Sequence, residues 1–236
     1  MCARAGSVLV MTAHPDDADV HGGGAVARWV DEGREVHYVL FTSGDKGHHD
    51  PTMTRDEVIA LRRAEQRAAA ATLGVQRVTF LEYEDGALAW AGADLAAAAT
   101  RLIREERPEV MLTHDPFTGP PRYKEYQLHP DHRAVGEAVL DAVYFRARGH
   151  LYHPEQIAAG LEPHRVGELW LLMGDHADHP VDIAATLERK IAAIRTHASQ
   201  WGRHPDLEGF VRRRAETTGA AHGVALAEAF KRLRPG

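Results

Sequence analysis

Hydrophobic positions recur along this chain in two rhythms. Short runs rich in Val, Leu and Phe alternate with longer alanine-rich stretches of helical composition. The first rhythm reads as strands and the second as helices, and their alternation points to βαβ units around a largely parallel sheet. Strands are expected at 7–13 (SVLVMTA), 35–42 (EVHYVLFT), 77–82 (RVTFLE), 109–114 (EVMLTH) and 167–173 (GELWLLM). The clearest helix covers 54–73, where Thr54 and Glu57 form a capping box and Gly74 supplies the stop. Further helices are expected at 94–106, at 131–148 and from 184 to about 200. The fold class is α/β, Rossmann-like, a mostly parallel sheet with helices on both faces. In the strand order 3-2-1-4-5, strands 1 and 4 are neighbours and ligands bind beyond their carboxyl ends. Chemistry is therefore sought just after Ala13 and just after His114. The organisation expected is one α/β domain over 1–206 and a charged, partly helical C-terminal extension over 207–236.

Composition narrows the class of partner. The chain has 236 residues, with 28 Lys and Arg against 34 Asp and Glu, a net charge of −6, and no basic block. That excludes nucleic acid as the main partner. No apolar run approaches the roughly 18 to 20 residues a membrane span needs. The start, MCARAGSVLVMTAH, lacks a cleavage region and runs directly into a polar motif, so it reads as the first strand of a cytoplasmic protein. With one cysteine, Cys2, neither a disulfide framework nor a thiol-rich zinc site can form. A transition metal here has to use His and carboxylates. The balance of charge leaves a monomer and a homo-oligomer both open.

The two places where chemistry is expected are both unusual. After strand 1, where a dinucleotide-binding chain carries G-x-G-x-x-G, this one reads AHPDDAD from Ala13 to Asp19. A phosphate would meet Asp16, Asp17 and Asp19 there, and so much like charge is repulsive unless a cation or a proton compensates it. Acidic residues at a helix N-terminus are favoured anyway, but that reading does not account for His14. The second place reads HPDH, His129 to His132, at the end of a fourteen-residue irregular stretch from Asp115 to Leu128. His129 and His132 are three apart, so both face one side as a helix begins. Two H-P-D segments at the loops that meet at the switch point match what divalent zinc takes from His nitrogen and Asp oxygen.

AHPDDAD and HPDH, together with TSGDKG after strand 2, R-x-x-E at Arg62 to Glu65, LGV at 73–75, EDG at 84–86 and the closing HPVDIAATLERKIAAIRTHASQ at 179–200, resemble the LmbE and PIG-L family of zinc-dependent N-deacetylases. The resemblance covers most of the chain, and its first two motifs are the specific ones. It implies that His14, Asp17 and His132 bind the metal, zinc or another divalent ion, and that Asp16 is the general base. It implies that His129 stabilises or protonates the reacting group and that Asp131 orients or tunes a histidine. Arg62 and Asp85 match positions that touch the sugar. Family members often carry Glu directly after H-P-D-D, where this chain has Ala18 and then Asp19. Three protein ligands of the His-His-Asp kind leave a coordination position open, as catalytic zinc requires. A carboxylate outside the ligand set can then take the proton of an activated water that attacks an amide carbonyl. The function expected is removal of an N-acetyl or N-acyl group from an N-acetylglucosamine-like conjugate, a small-molecule substrate. The alternatives are an amidase of thiol-sugar conjugates and a non-catalytic, metal-bearing sugar-binding subunit.

Weaker signals complete the reading. HGGG (21–24) imitates a lipase oxyanion loop, but no serine stands in a G-x-S-x-G elbow, which excludes a serine hydrolase. His21 either lines the pocket or belongs to a glycine-rich close packing. GDKGHHD (44–50) opens on the active face or is a solvated loop. Without the resemblance, Arg62 reads as a charge pairing with Glu65 or Gln66. Trp170 is core strand, and His197 is a structural histidine. In the stretch 115–128, Tyr123 and Tyr126 can cover the site, and Tyr126, close to His129, is the one expected to reach the reacting carbonyl.

Overall fold

The computed structural model describes residues 6–117, 128–174 and 176–236. The expected strands form as β1 Val8–Thr12, β2 Val36–Leu40, β3 Arg77–Phe80, β4 Val110–His114 and β5 Glu168–Leu172. They lie in the order β3-β2-β1-β4-β5 and pair in parallel throughout. Two further strands, β6 His179–Asp182 and β7 Ala227–Leu233, extend the sheet, with β7 antiparallel between β5 and β6. The mostly parallel α/β architecture is thus as the hydrophobic pattern predicts. The strand at the end of the segment 207–236 is an addition to it, alongside the expected helix.

Alternation along the strands builds two cores. Val8 and Val10 of β1, Tyr38 and Leu40 of β2, and Trp170 and Leu172 of β5 face a layer made by α1 (Asp17–Asp31), α2 (Arg55–Leu73), α6 (Leu187–Thr196) and α8 (Leu207–His222). Leu9, Met11, Val39, Met111 and Leu171 face the opposite layer, α3 (Gly92–Glu106) and α4 (Pro130–Asp141). Because β1 is buried on both sides, it has no polar face and reads as a continuous apolar run. Truncating one of these side chains, such as Leu112 at 0% exposure, costs about 2–5 kcal/mol.

The helices follow their caps. Thr54 accepts from Glu57 N while Glu57 closes the reciprocal bond, and Gly74 ends α2 at φ 86°. The helix expected over 131–148 is α-helical only to Asp141 and continues as a π-helical turn, Ala142–Arg146. There the fully buried Arg104 guanidinium donates to the carbonyls of Arg146, Gly149 and Tyr152 at 2.8–2.9 Å, satisfying groups that a regular helix would have paired itself. The helix expected from 184 to about 200 breaks at His197 into α6 and a single turn, α7 (Ala198–Trp201). A short helix Pro154–Ala158, α5, precedes β5. Among the described residues no helix is long and apolar enough to cross a membrane.

Candidate metal centre at the switch point

The loop after β1 and the start of α4 meet beyond the carboxyl ends of β1 and β4, and the residues expected there converge. His14 follows β1, Asp17 opens α1, and His132 stands in the first turn of α4. His14 Nδ1 lies 3.1 Å from His132 Nε2 and 3.6 Å from Asp17 Oδ2, and His132 Nε2 lies 3.3 Å from Asp17 Oδ1. Ligands held tetrahedrally at about 2.0–2.2 Å from an ion are about 3.3–3.6 Å apart, so these spacings are close to those around a zinc-sized cation. All three side chains are buried.

The other nitrogen of His14 is held from behind. Nε2 lies 3.0 Å from Asp85 Oδ1 and 3.3 Å from Asp131 Oδ2. Asp131 in turn accepts from Gly86 N at 2.7 Å and Leu88 N at 3.1 Å, and Asp85 accepts from Lys46 N at 2.8 Å. A histidine whose second N–H is given to a carboxylate is the usual supporting arrangement for a metal ligand. Burial opposes a charge on His14, yet its contacts to Asp131, Asp17 and Asp85 prevail and hold its pKa well above the ordinary imidazole value. The pocket therefore calls for positive charge, which a proton or a cation can supply.

Asp16 sits outside this donor set. Its backbone is left-handed at φ 83°. Trp201 Nε1 donates to Asp16 Oδ2 at 2.8 Å, and Arg62 Nη2 lies 3.5 Å from Oδ1. Burial raises the pKa of Asp16, against the lowering influence of Arg62, His197 and Trp201. His129 caps α4: Asp131 N donates to its Nδ1 at 3.3 Å, which leaves the ring proton on Nε2. Its ring stacks on His132 at 4.7 Å and stands edge-on to His14 at 4.7 Å. Burial and its neighbours His14 and His132 lower its pKa.

His14, Asp16, Arg62, Asp85 and His129 line a cleft of about 310 Å³, with Lys46, Gly47 and Gln200 on its wall. Part of the GDKGHHD stretch thus does open on this face. A larger cavity of about 700 Å³ lies between α1, α8 and β7 and shares none of these five residues; His21 lines that one. Arg62, expected to reach a sugar, donates to Gly44 O at 2.7 Å and Pro15 O at 2.9 Å, and pairs with neither Glu65 nor Gln66 in the bonds it makes there. Gly44, at φ 65°, is required: a Cβ there would stand 2.0 Å from Arg62 Nη1. HGGG is internal to α1, where a Cβ on Gly24 would stand 2.7 Å from Ile183 Cγ2. Tyr123 and Tyr126 lie outside the described residues.

Three contributors escape the motifs. His114, at the end of β4, accepts Ala13 N on Nε2 at 2.9 Å, lies 3.3 Å from Asp17 Oδ2 and stacks on His132 at 4.4 Å. Burial, with His132 close by, lowers its pKa to about 4. Its place at the switch-point end of a strand was the only signal for it. Gln66 and Trp201 bind Asp16 from α2 and α7, and nothing in their spacing marks them.

Comparison with known proteins agrees with this geometry. The family model described as GlcNAc-PI de-N-acetylase, PIG-L, matches residues 9–143, more than half of the chain and all of the donor set. The chain is 31% identical over 194 residues to diacetylchitobiose deacetylase of Thermococcus kodakarensis, covering 82% of this chain and 70% of that protein. It is 28% identical over 233 residues to the 1D-myo-inositol 2-acetamido-2-deoxy-alpha-D-glucopyranoside deacetylase of Mycobacteroides abscessus, covering 82% of this chain and 81% of that one. The solved N,N'-diacetylchitobiose deacetylase of Pyrococcus horikoshii, complexed with an inhibitor, superposes with a TM-score of 0.87 at 30% identity, over 98% of this chain and 85% of its own. From strand 1 through the helix that carries His132, and in the cluster those elements bring together, this chain belongs to the PIG-L family of de-N-acetylases.

Proposed function

We propose that this protein is a zinc-dependent N-deacetylase that hydrolyses the acetamide of an N-acetylglucosamine-like sugar conjugate. The observation that carries the reading is the convergence of His14 Nδ1, Asp17 and His132 Nε2 at 3.1–3.6 Å, beside a carboxylate that belongs to no ligand pair. The names of the relatives support the substrate class, since each is a deacetylase of an acetamido sugar or its conjugate.

His14, Asp17 and His132 would hold the ion. Its Lewis acidity, when bound, activates water and polarises the amide carbonyl. Asp16 Oδ1, the oxygen not taken by Trp201, accepts the proton of the attacking water. His129 lines the same cleft and has a proton to give on Nε2, which it donates to the oxyanion or to the departing amine nitrogen. Asp131 and Asp85 keep His14 in the tautomer that presents Nδ1. Arg62 and Asp85 line the cleft and offer polar groups to the sugar beyond the bonds they already make, and Tyr126 is assigned to the carbonyl side.

The test is incubation of the zinc-loaded protein with N-acetylglucosamine, diacetylchitobiose, an N-acetylglucosaminyl inositol and a thiol-bearing sugar amide, assaying acetate and primary amine together. Release of both from an acetamido sugar is the expected result. Cleavage of the thiol conjugate alone would favour the amidase reading. No release from any of them would leave a metal-bearing binding protein.

A further inference from the structure

We infer that Trp201 is a positioning residue for the reaction, and that the segment His197–Trp201 is a brace which crosses from α6 to hold the turn Pro15–Asp16 in its working shape. The inference rests on the reading of Asp16 as proton acceptor.

A residue with a Cβ does not stay at φ 83° unless its surroundings over-determine it. Three bonds do so here. Gln66 Oε1 accepts Asp16 N at 2.8 Å, Arg62 Nη2 donates to Pro15 O at 2.9 Å, and Trp201 Nε1 donates to Asp16 Oδ2 at 2.8 Å. The first two fix the backbone. The third fixes the carboxylate, whose terminal torsion is otherwise soft. With Oδ2 engaged by the indole, Oδ1, which has Arg62 Nη2 at 3.5 Å, is the oxygen left to accept a proton.

Trp201 is itself anchored from several sides. His197 Nε2 contacts Asp19 Oδ2 at 2.8 Å, and the same oxygen accepts from Gln66 Nε2 at 2.8 Å, so one fully buried carboxylate ties the start of the brace to the glutamine that holds Asp16. Tyr38 donates to Asp19 Oδ1 at 3.0 Å and closes that network against the sheet. Ser199 donates from N and Oγ to Glu65 at 2.8 and 2.6 Å, pinning the single turn α7 to α2. The indole stacks on Phe210 at 6.1 Å, and packing alone would be served as well by phenylalanine. What a phenylalanine lacks is the N–H aimed at the carboxylate. The helix break at His197, unexpected from the 3.6-residue pattern, is what delivers Ser199 and Trp201 to these partners.

The experiment is Trp201→Phe in the zinc-loaded protein, alone and combined with Asp16→Asn, with kcat, KM and bound metal measured on the best acetamido sugar. Losing a hydrogen bond to a charged group should lower kcat about tenfold or more while KM and metal content stay at wild-type values. In the Asp16→Asn background the same change should cost nothing further, because a residue acting through Asp16 has nothing left to act on. Wild-type kcat in Trp201→Phe, a parallel loss of metal, or an equal fold-loss in both backgrounds would each overturn the inference. Full turnover by Asp16→Asn would instead overturn the assignment of the base. Should that variant have no measurable turnover, the split between kcat and KM in Trp201→Phe decides.

Discussion

Helix α1 carries one buried polar cluster at its N-terminus and another at its middle, and the two are built on opposite principles. At its middle, Glu228 of β7 accepts Lys190 Nζ at 2.5 Å, Gly24 N at 3.0 Å and Ala25 N at 2.7 Å, while Thr186 Oγ1 donates to Gly24 O at 2.8 Å. One cation meets one anion, and the carboxylate also accepts two backbone N–H groups of α1. At its N-terminus, His14 Nδ1, His132 Nε2 and Asp17 converge with spacings set for an ion, while Asp85 and Asp131 bring two more carboxylates behind them. The first cluster is complete within the chain. The second is complete only with a cation or protons. Burial alone therefore does not mark a functional site; the sign and direction of what is left over does.

That contrast sorts the expected effects. Asp16→Asn should produce the largest, a fall in kcat of roughly 10²- to 10⁴-fold in the zinc-loaded protein, since an amide cannot take the water's proton. Glu228→Gln should leave the kcat of folded protein unchanged but destabilise it by about 3–5 kcal/mol, because Lys190 is left buried without its counter-charge. Urea titration read by circular dichroism, with activity assayed in parallel, measures both. A smaller effect concerns pH. His114 has a folded pKa of about 4 against an ordinary 6.5, so in chelator-treated protein the unfolded chain binds the extra proton first as pH falls. Stability contributed by neutral His114 is complete above pH 6.5 and is lost between 6.5 and 4, at most about 3 kcal/mol. Denaturation at pH 7 and pH 4.5 should show that loss in wild type and a smaller one in His114→Gln.

Much of this was legible in the sequence, for reasons that also explain what was not. Strands β1 to β5 are short apolar runs ending at turn signals, and the order of a doubly wound sheet followed from the helices between them. That the two H-P-D segments meet was legible because they fall where such sheets bind ligands, while the choice of His14, Asp17 and His132 within them came from the resemblance to the family. β7 was hidden because AEAFKRL has the composition of a helix and becomes a strand only by pairing with β5 and β6. The break at His197 was hidden because the apolar spacing continues through it, while the contact that turns the chain, to Asp19, lies 178 residues away. The bonds Arg62 makes were hidden for the same reason: helical spacing alone suggests Glu65 or Gln66 as partners, whereas its acceptors are carbonyls on two other loops.

The central claim is the division of labour between two adjacent aspartates, Asp17 as ligand and Asp16 as base. Metal content per chain, measured by plasma mass spectrometry after dialysis against trace zinc, tests it most directly in wild type, Asp16→Asn, Asp17→Asn and His132→Ala. The account expects about one zinc per chain in wild type and Asp16→Asn, and well below one in Asp17→Asn and His132→Ala. A zinc-free Asp16→Asn beside a zinc-replete Asp17→Asn would contradict it and exchange the two roles.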